Sequence, residues 1–178
     1  TARDTGAGLT IDANVRDGLI SDASPETRFH PMRGSGRVTL TDQNWVGAMN
    51  LRDRAHGRRV ADVEIHHAGR TGTGGVRFDA TGLEFTPEGL QPSQISPLAD
   101  GFVASPVSGR ADFTGQFDWT ASGASSSGHF STPGLDFISP LGAVRQMRGD
   151  VAFTSLTPLV TAPNQRLTVQ QIDAFLPL

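Results

Sequence analysis

The chain has 178 residues, enough for one domain or for one stretch of a longer repetitive sheet, and only 37% of them are apolar, beside 21 Gly and 11 Pro. That composition is thin for a packed helical core and rich in turn formers, so it points to many short strands. A net charge of −3, with every basic residue an Arg and none gathered in a stripe, argues against nucleic acid as a partner. The absence of Cys excludes disulfides and thiolate metal sites, and no apolar run is long enough to make a membrane-spanning helix.

In chain order, Thr1-Ala2-Arg3-Asp4 begins polar, without the pattern of a signal peptide, and starts in mid-pattern as a piece of a longer chain would. Leu9, Ile11, Ala13 and Val15 alternate with Thr10, Asp12, Asn14 and Arg16, which predicts a half-buried strand. Residues Ser21 to Ser35 hold Pro25, Pro31 and Gly34 without a period and predict a long connection pinned to the sheet by Phe29 and Met32. Alternation resumes at Val38 and Leu40, at Met49 and Leu51, and at Ala61, Val63 and Ile65. Thr71-Gly72-Thr73-Gly74-Gly75 lacks the Lys and helix onset of a phosphate loop and predicts a hairpin turn. Val76, Phe78 and Ala80 then give way, across a predicted turn at Thr81-Gly82, to Leu83 and Phe85. Short helical pieces are expected around Pro92 to Ala99, capped by Ser93, and from Leu141 to Met147.

The clearest strand carries Ala111, Phe113, Gly115, Phe117 and Trp119 on one face and Asp112, Thr114, Gln116 and Asp118 on the other. Ser122 to Gly128 reads as a hairpin loop, followed by Phe130 and, after Pro133-Gly134, by Leu135 and Phe137. A last pair of strands carries Val151 and Phe153, then, past Thr157-Pro158 and a corner at Ala162 to Gln165, Leu167 and Val169. These runs predict about ten strands of ordinary length.

Exposing such a greasy face costs about 25 cal/mol for each Å² left in water, so it must be covered. A second sheet, a partner protein or lipid acyl chains would each serve. Catalytic constellations are weak: His66 and His67 are neighbours on a strand and point to opposite faces, and His30, His56 and His129 fall in loops or turns without a partner at ligand spacing. Asp112 and Asp118 lie about 20 Å apart along a strand, too far for a glycosidase pair. No catalytic residue, metal or cofactor is therefore expected. A carbohydrate-binding or interaction β-sandwich from an envelope or adhesin protein is the alternative reading, with Trp45 as its best contact.

Gly149 to Leu178, GDVAFTSLTPLVTAPNQRLTVQQIDAFLPL, resembles the C-terminal region of the YdbH family, AsmA-like and TamB-like proteins of the Gram-negative envelope. The resemblance continues upstream through Leu83-Glu84-Phe85, Gly89-Leu90-Gln91-Pro92, Ser96-Pro97-Leu98 and Gly109-Arg110-Ala111-Asp112-Phe113, and covers about residues 60 to 178. It implies an all-β fold, a curved antiparallel sheet forming a taco-like groove, in place of a closed sandwich. It also implies periplasmic, non-enzymatic phospholipid transport between inner and outer membranes by a segment of a longer chain anchored to the inner membrane. Partners implied are phospholipid, the remainder of the chain, and a YnbE-like outer-membrane lipoprotein joined by strand addition at the edge formed by Arg166 to Ile172. The residues expected to line the groove are Val63, Ile65, Phe78, Leu83, Phe85, Phe113, Phe117, Trp119, Phe130, Phe137, Val151 and Phe153.

Overall fold

Alternating side chains on successive strands joined by short turns build a single antiparallel meander. The computed structural model describes residues 2–4, 9–23, 27–101, 103–140 and 142–174. Its strands are β1 (Ala2–Asp4), β2 (Leu9–Ile20), β3 (Met32–Thr41), β4 (Asn44–Arg52), β5 (Arg59–Ala68), β6 (Thr73–Phe85), β7 (Ala104–Thr120), β8 (Gly123–Ser139), β9 (Gly142–Leu156), β10 (Leu159–Thr161), β11 (Arg166–Thr168) and β12 (Gln171–Ala174). They form one sheet in the order β1 to β10, with β11 and β12 also paired to β9. Among the described residues β1 and β10 do not meet, so the sheet is open rather than closed into a barrel. Segments β10, β11 and β12 run end to end along the same edge of β9.

Several elements differ from the sequence expectation. The connection expected from Ser21 to Ser35 ends earlier, because β3 starts at Met32, where pairing with Ile20 begins. Ser24, Pro25 and Glu26 lie outside the described residues. Gly123 to Gly128 is not a loop but the start of β8, since small side chains tolerate a ladder already fixed by β7, and only Ala121 and Ser122 turn. His129 accordingly sits in β8, with its Nε2 3.6 Å from Asp150. The stretch expected to be helical from Leu141 to Met147 is the first part of β9, held between β8 and β12; Leu141 itself is outside the described residues. Helix α1 (Pro92–Ile95) is present, but its N-cap residue is Gln91 rather than Ser93, and the Gln91 backbone N–H donates to Gln94 Oε1 at 3.0 Å. A 3-10 turn from Pro97–Gly101 follows.

Thr81-Gly82 and Pro133-Gly134 do not end strands. They are bulges inside β6 and β8, marked by register shifts between Ala80 and Leu83 and between Thr132 and Leu135. Gly82 supplies the left-handed φ of 72° that the first of these requires. Shifts at Val15 to Gly18 and at Leu51 to Arg52 fall on neighbouring positions of the ladder. Bulges bend the strands that carry them, and so many at one level crease the sheet across its strands.

The core gathers at this crease. Met32, Leu51, Val60, Ala61, Ala80, Leu83, Phe85, Val107, Ala111, Leu135, Phe137 and Val144 form one buried cluster with Leu90. Two connections cover it. The strap from Thr86 to Val103 contributes Leu90, Ile95 and Val103, and the β2–β3 connection contributes Phe29. The two hold each other through His30 N–H to the Ile95 carbonyl, at 2.9 Å, and the Ser96 hydroxyl to the Arg28 carbonyl.

Candidate functional site

Residues opposite each other in an antiparallel ladder share a face, so register assigns the apolar face row by row. Nearest the hairpin tips, Ile11, Leu40, Trp45, His67, Gly74, Trp119 and Ala124 stand side by side. The next row is Ala13, Val38, Gly47, Ile65, Val76, Phe117 and Ser126. After it come Val15, Gly36, Met49, Val63, Phe78, Gly115, Gly128 and Phe153. The row at the crease includes Ala80, Phe113, Phe130 and Val151.

These rows pack laterally rather than against a second layer. Phe78 lies 5.5 Å from Phe113 and 6.3 Å from Phe117, and Phe113 meets Phe153 edge-on at 6.0 Å, all between ring centroids. Glycines seat the rings: a Cβ on Gly115 would fall 2.3 Å from Phe78 Cζ. Large and absent side chains thus interlock along the face.

The expected lining residues divide into two groups. Val63, Phe78, Phe113, Phe117, Trp119, Phe130 and Phe153 are half-buried, and Ile65 is 39% exposed. Leu83, Phe85, Phe137 and Val151 are buried, within or beside the strap-covered core. The register adds Trp45, Met49 and Val76 to the open rows. Trp45 owes its place to the two-residue β3–β4 turn, where Asp42 and Gln43 both take positive φ and lock Leu40 opposite Trp45. That turn chemistry lacks the usual Asn-Gly signature, so the sequence offers Trp45 only as a contact of the alternative β-sandwich reading and not as part of the apolar face.

The other face of the same strands is polar and laced by ion pairs. Arg37 binds Asp12 and Arg59 binds Asp62 at 2.7 Å, while Asn50 donates to Asp62 at 2.7 Å. The Arg59 hydrogen bonds, with help from Asn50, hold the Asp62 carboxyl below its ordinary pKa. A shallow hollow of about 650 Å³ on this face is lined by Asp62, Glu64, Arg77, Asp79, Gln116 and His129 among others. Of its lining acids, Asp62 is paired with Arg59, and among the described residues no group of three His, Asp or Glu is placed to hold a metal ion. His66 lies on this side and His67 on the apolar one, as strand alternation requires.

Beyond β9 the edge formed by β10 to β12 is almost wholly exposed. Leu159, Val160, Leu167, Val169 and Ile172 are each between 38% and 51% accessible. No helix among the described residues is long and apolar enough to cross a membrane.

A family model described as YdbH-like, Intermembrane phospholipid transport protein YdbH, matches residues 6–178. No curated protein and no solved structure matches.

Proposed function

The chain belongs to the YdbH-like family, whose role is intermembrane phospholipid transport, and on that premise we propose that its open apolar rows carry phospholipid acyl chains without catalysis. The observation that carries this reading is the uncovered face itself: Ile65, Phe78, Phe117 and Phe153 remain accessible in a folded sheet whose other face is satisfied by polar contacts. A family that works between two membranes works in the periplasm. There the rows from the hairpin tips to the crease form the wall of a trough, acyl chains lie against them, and head groups stay at its wet rim. Ten strands at about 4.8 Å give roughly 50 Å of trough, ample for acyl chains that fill about 15 Å of a bilayer leaflet.

In this reading residues 1–178 are one groove segment. The rest of a longer chain extends the sheet and supplies the inner-membrane anchor. The exposed β10 to β12 edge suits strand addition by a YnbE-like outer-membrane lipoprotein, because an unpaired edge with alternating apolar side chains supplies both backbone bonds and side-chain contacts. The half-buried members of the expected set, Val63, Ile65, Phe78, Phe113, Phe117, Trp119, Phe130 and Phe153, touch lipid, whereas Leu83, Phe85, Phe137 and Val151 support them from the core.

Native mass spectrometry with lipid extraction tests the proposal. Near-stoichiometric phospholipid on the purified chain, lost in Phe117→Glu while the variant stays folded, is the expected result. A lipid-free chain that stays lipid-free after incubation with phospholipid vesicles would overturn it.

A further inference from the structure

The chain has two Trp residues, and the sheet brings both into one row. Trp45 is directly opposite His67, His67 opposite Gly74, and Gly74 opposite Trp119. The Trp119 indole Nε1–H donates to His67 Nδ1 at 3.3 Å, and the two rings are 6.0 Å apart. Trp119 lies over the backbone of Gly74, where a Cβ would come within 2.5 Å of its Cζ2. This row is the last before the hairpin tips. Between it and the crease, β4 to β7 carry only apolar side chains or glycine on this face.

Resting on the phospholipid reading above, we infer that the Trp45–His67–Trp119 row is the level at which the lipid glycerol and phosphate region is held, with the acyl chains directed from there toward the crease. Indole rings favour the boundary between hydrocarbon and water, because one edge carries a donor and the rest is apolar. With Nδ1 accepting from Trp119, neutral His67 carries its proton on Nε2 and offers that N–H to an ester or phosphate oxygen. Among the described residues that N–H has no protein acceptor. Six residues separate Trp119 from Phe113, about 20 Å of strand, which exceeds the roughly 15 Å of a leaflet's hydrocarbon. An acyl chain anchored at the row therefore ends near the crease, short of the strap-covered core.

Because both indoles lie in the row, their fluorescence reads the level of whatever binds there. The 178-residue chain would be loaded with phosphatidylcholine bearing a spin-label quencher either near the head group or near the methyl end of the acyl chain, with binding followed by native mass spectrometry. Trp45→Phe and Trp119→Phe assign the signal to each indole. Head-group-proximal quenching stronger by roughly twofold or more is expected, since the methyl end lies about 15 Å deeper. Equal quenching, stronger quenching from the methyl end, or bound lipid without quenching would overturn the assignment of the row and leave lipid carriage standing. No bound lipid at all would overturn both.

Discussion

Single residues decide how closely the apolar face can interlock. Phe78 occupies the space that a side chain on Gly115 would need, and its ring is fixed from both sides by Phe113 and Phe117. Gly115→Ala is expected to cost about 1–3 kcal/mol through overpacking, read as a lower urea midpoint; an unchanged midpoint would show that the ring is free to shift. Asp53 is a buried carboxylate, 4% exposed, and it organises the β4–β5 connection. Its oxygens accept from the backbone N–H groups of His56, at 2.7 Å, and Arg58, at 2.6 Å. Burial pushes its pKa up, but these bonds and the nearby His56 outweigh that and hold it below the ordinary value. A depressed folded pKa means stability that is present above about pH 4, the unfolded value, and is lost as pH falls through the folded one. Asp53→Asn should therefore cost about 1–3 kcal/mol at neutral pH and flatten the acid limb of a stability–pH curve. A limb as steep as that of the parent would assign acid sensitivity to other carboxylates.

At the scale of elements, the strap is held by one amide. Gln91 Nε2 donates to the carbonyls of Thr86 at 2.7 Å and Val107 at 3.0 Å, and its Oε1 accepts from Val107 N–H at 2.7 Å. Gln91→Leu would leave those buried groups unpaired, at about 1–3 kcal/mol for each. Faster amide exchange confined to residues 86–107 is expected, with β7 to β9 beyond the crease still protected; uniform loss of protection would instead make the strap part of the global fold. The sequence showed the faces of these elements but not their bends. Apolar positions switch from even to odd between Ala80 and Leu83 and between Phe130 and Leu135, and each switch was read as the end of a strand. A bulge has the same signature, because one extra residue returns Leu83 to the side of Ala80. The helical expectation for Leu141 to Met147, whose described part from Gly142 is strand, fails for a related reason. Ala143 and Met147 have helical spacing, and only the neighbouring strands, distant in sequence, overrule it.

For the molecule as a whole, the strap separates two fates for identical side chains. Phe117 and Phe137 obey the same alternation, yet one is half-open and the other only 8% exposed. No local pattern distinguishes them, since the difference comes from Phe29, Leu90 and Ile95 arriving from remote connections. An environment-sensitive apolar dye should therefore bind the native chain, be displaced by phospholipid, and bind Phe117→Glu weakly. Phe137→Glu should instead lower the unfolding midpoint sharply, because its carboxylate would be buried without a partner. Similar stability losses in the two variants would mean that both rows belong to one sealed core.

The crease gives the sheet unequal stiffness in its two directions. Across the strands, continuous ladders set a fixed spacing of about 4.8 Å per strand, so the molecule resists stretching along the row of strands. Along each strand, β2, β6 and β8 interrupt their ladders within a few neighbouring rows, so bending concentrates there. In the lipid-carrying reading proposed above, the result would be a conduit of fixed length and adjustable bore, able to take cargo of different girth without losing the alignment of its walls.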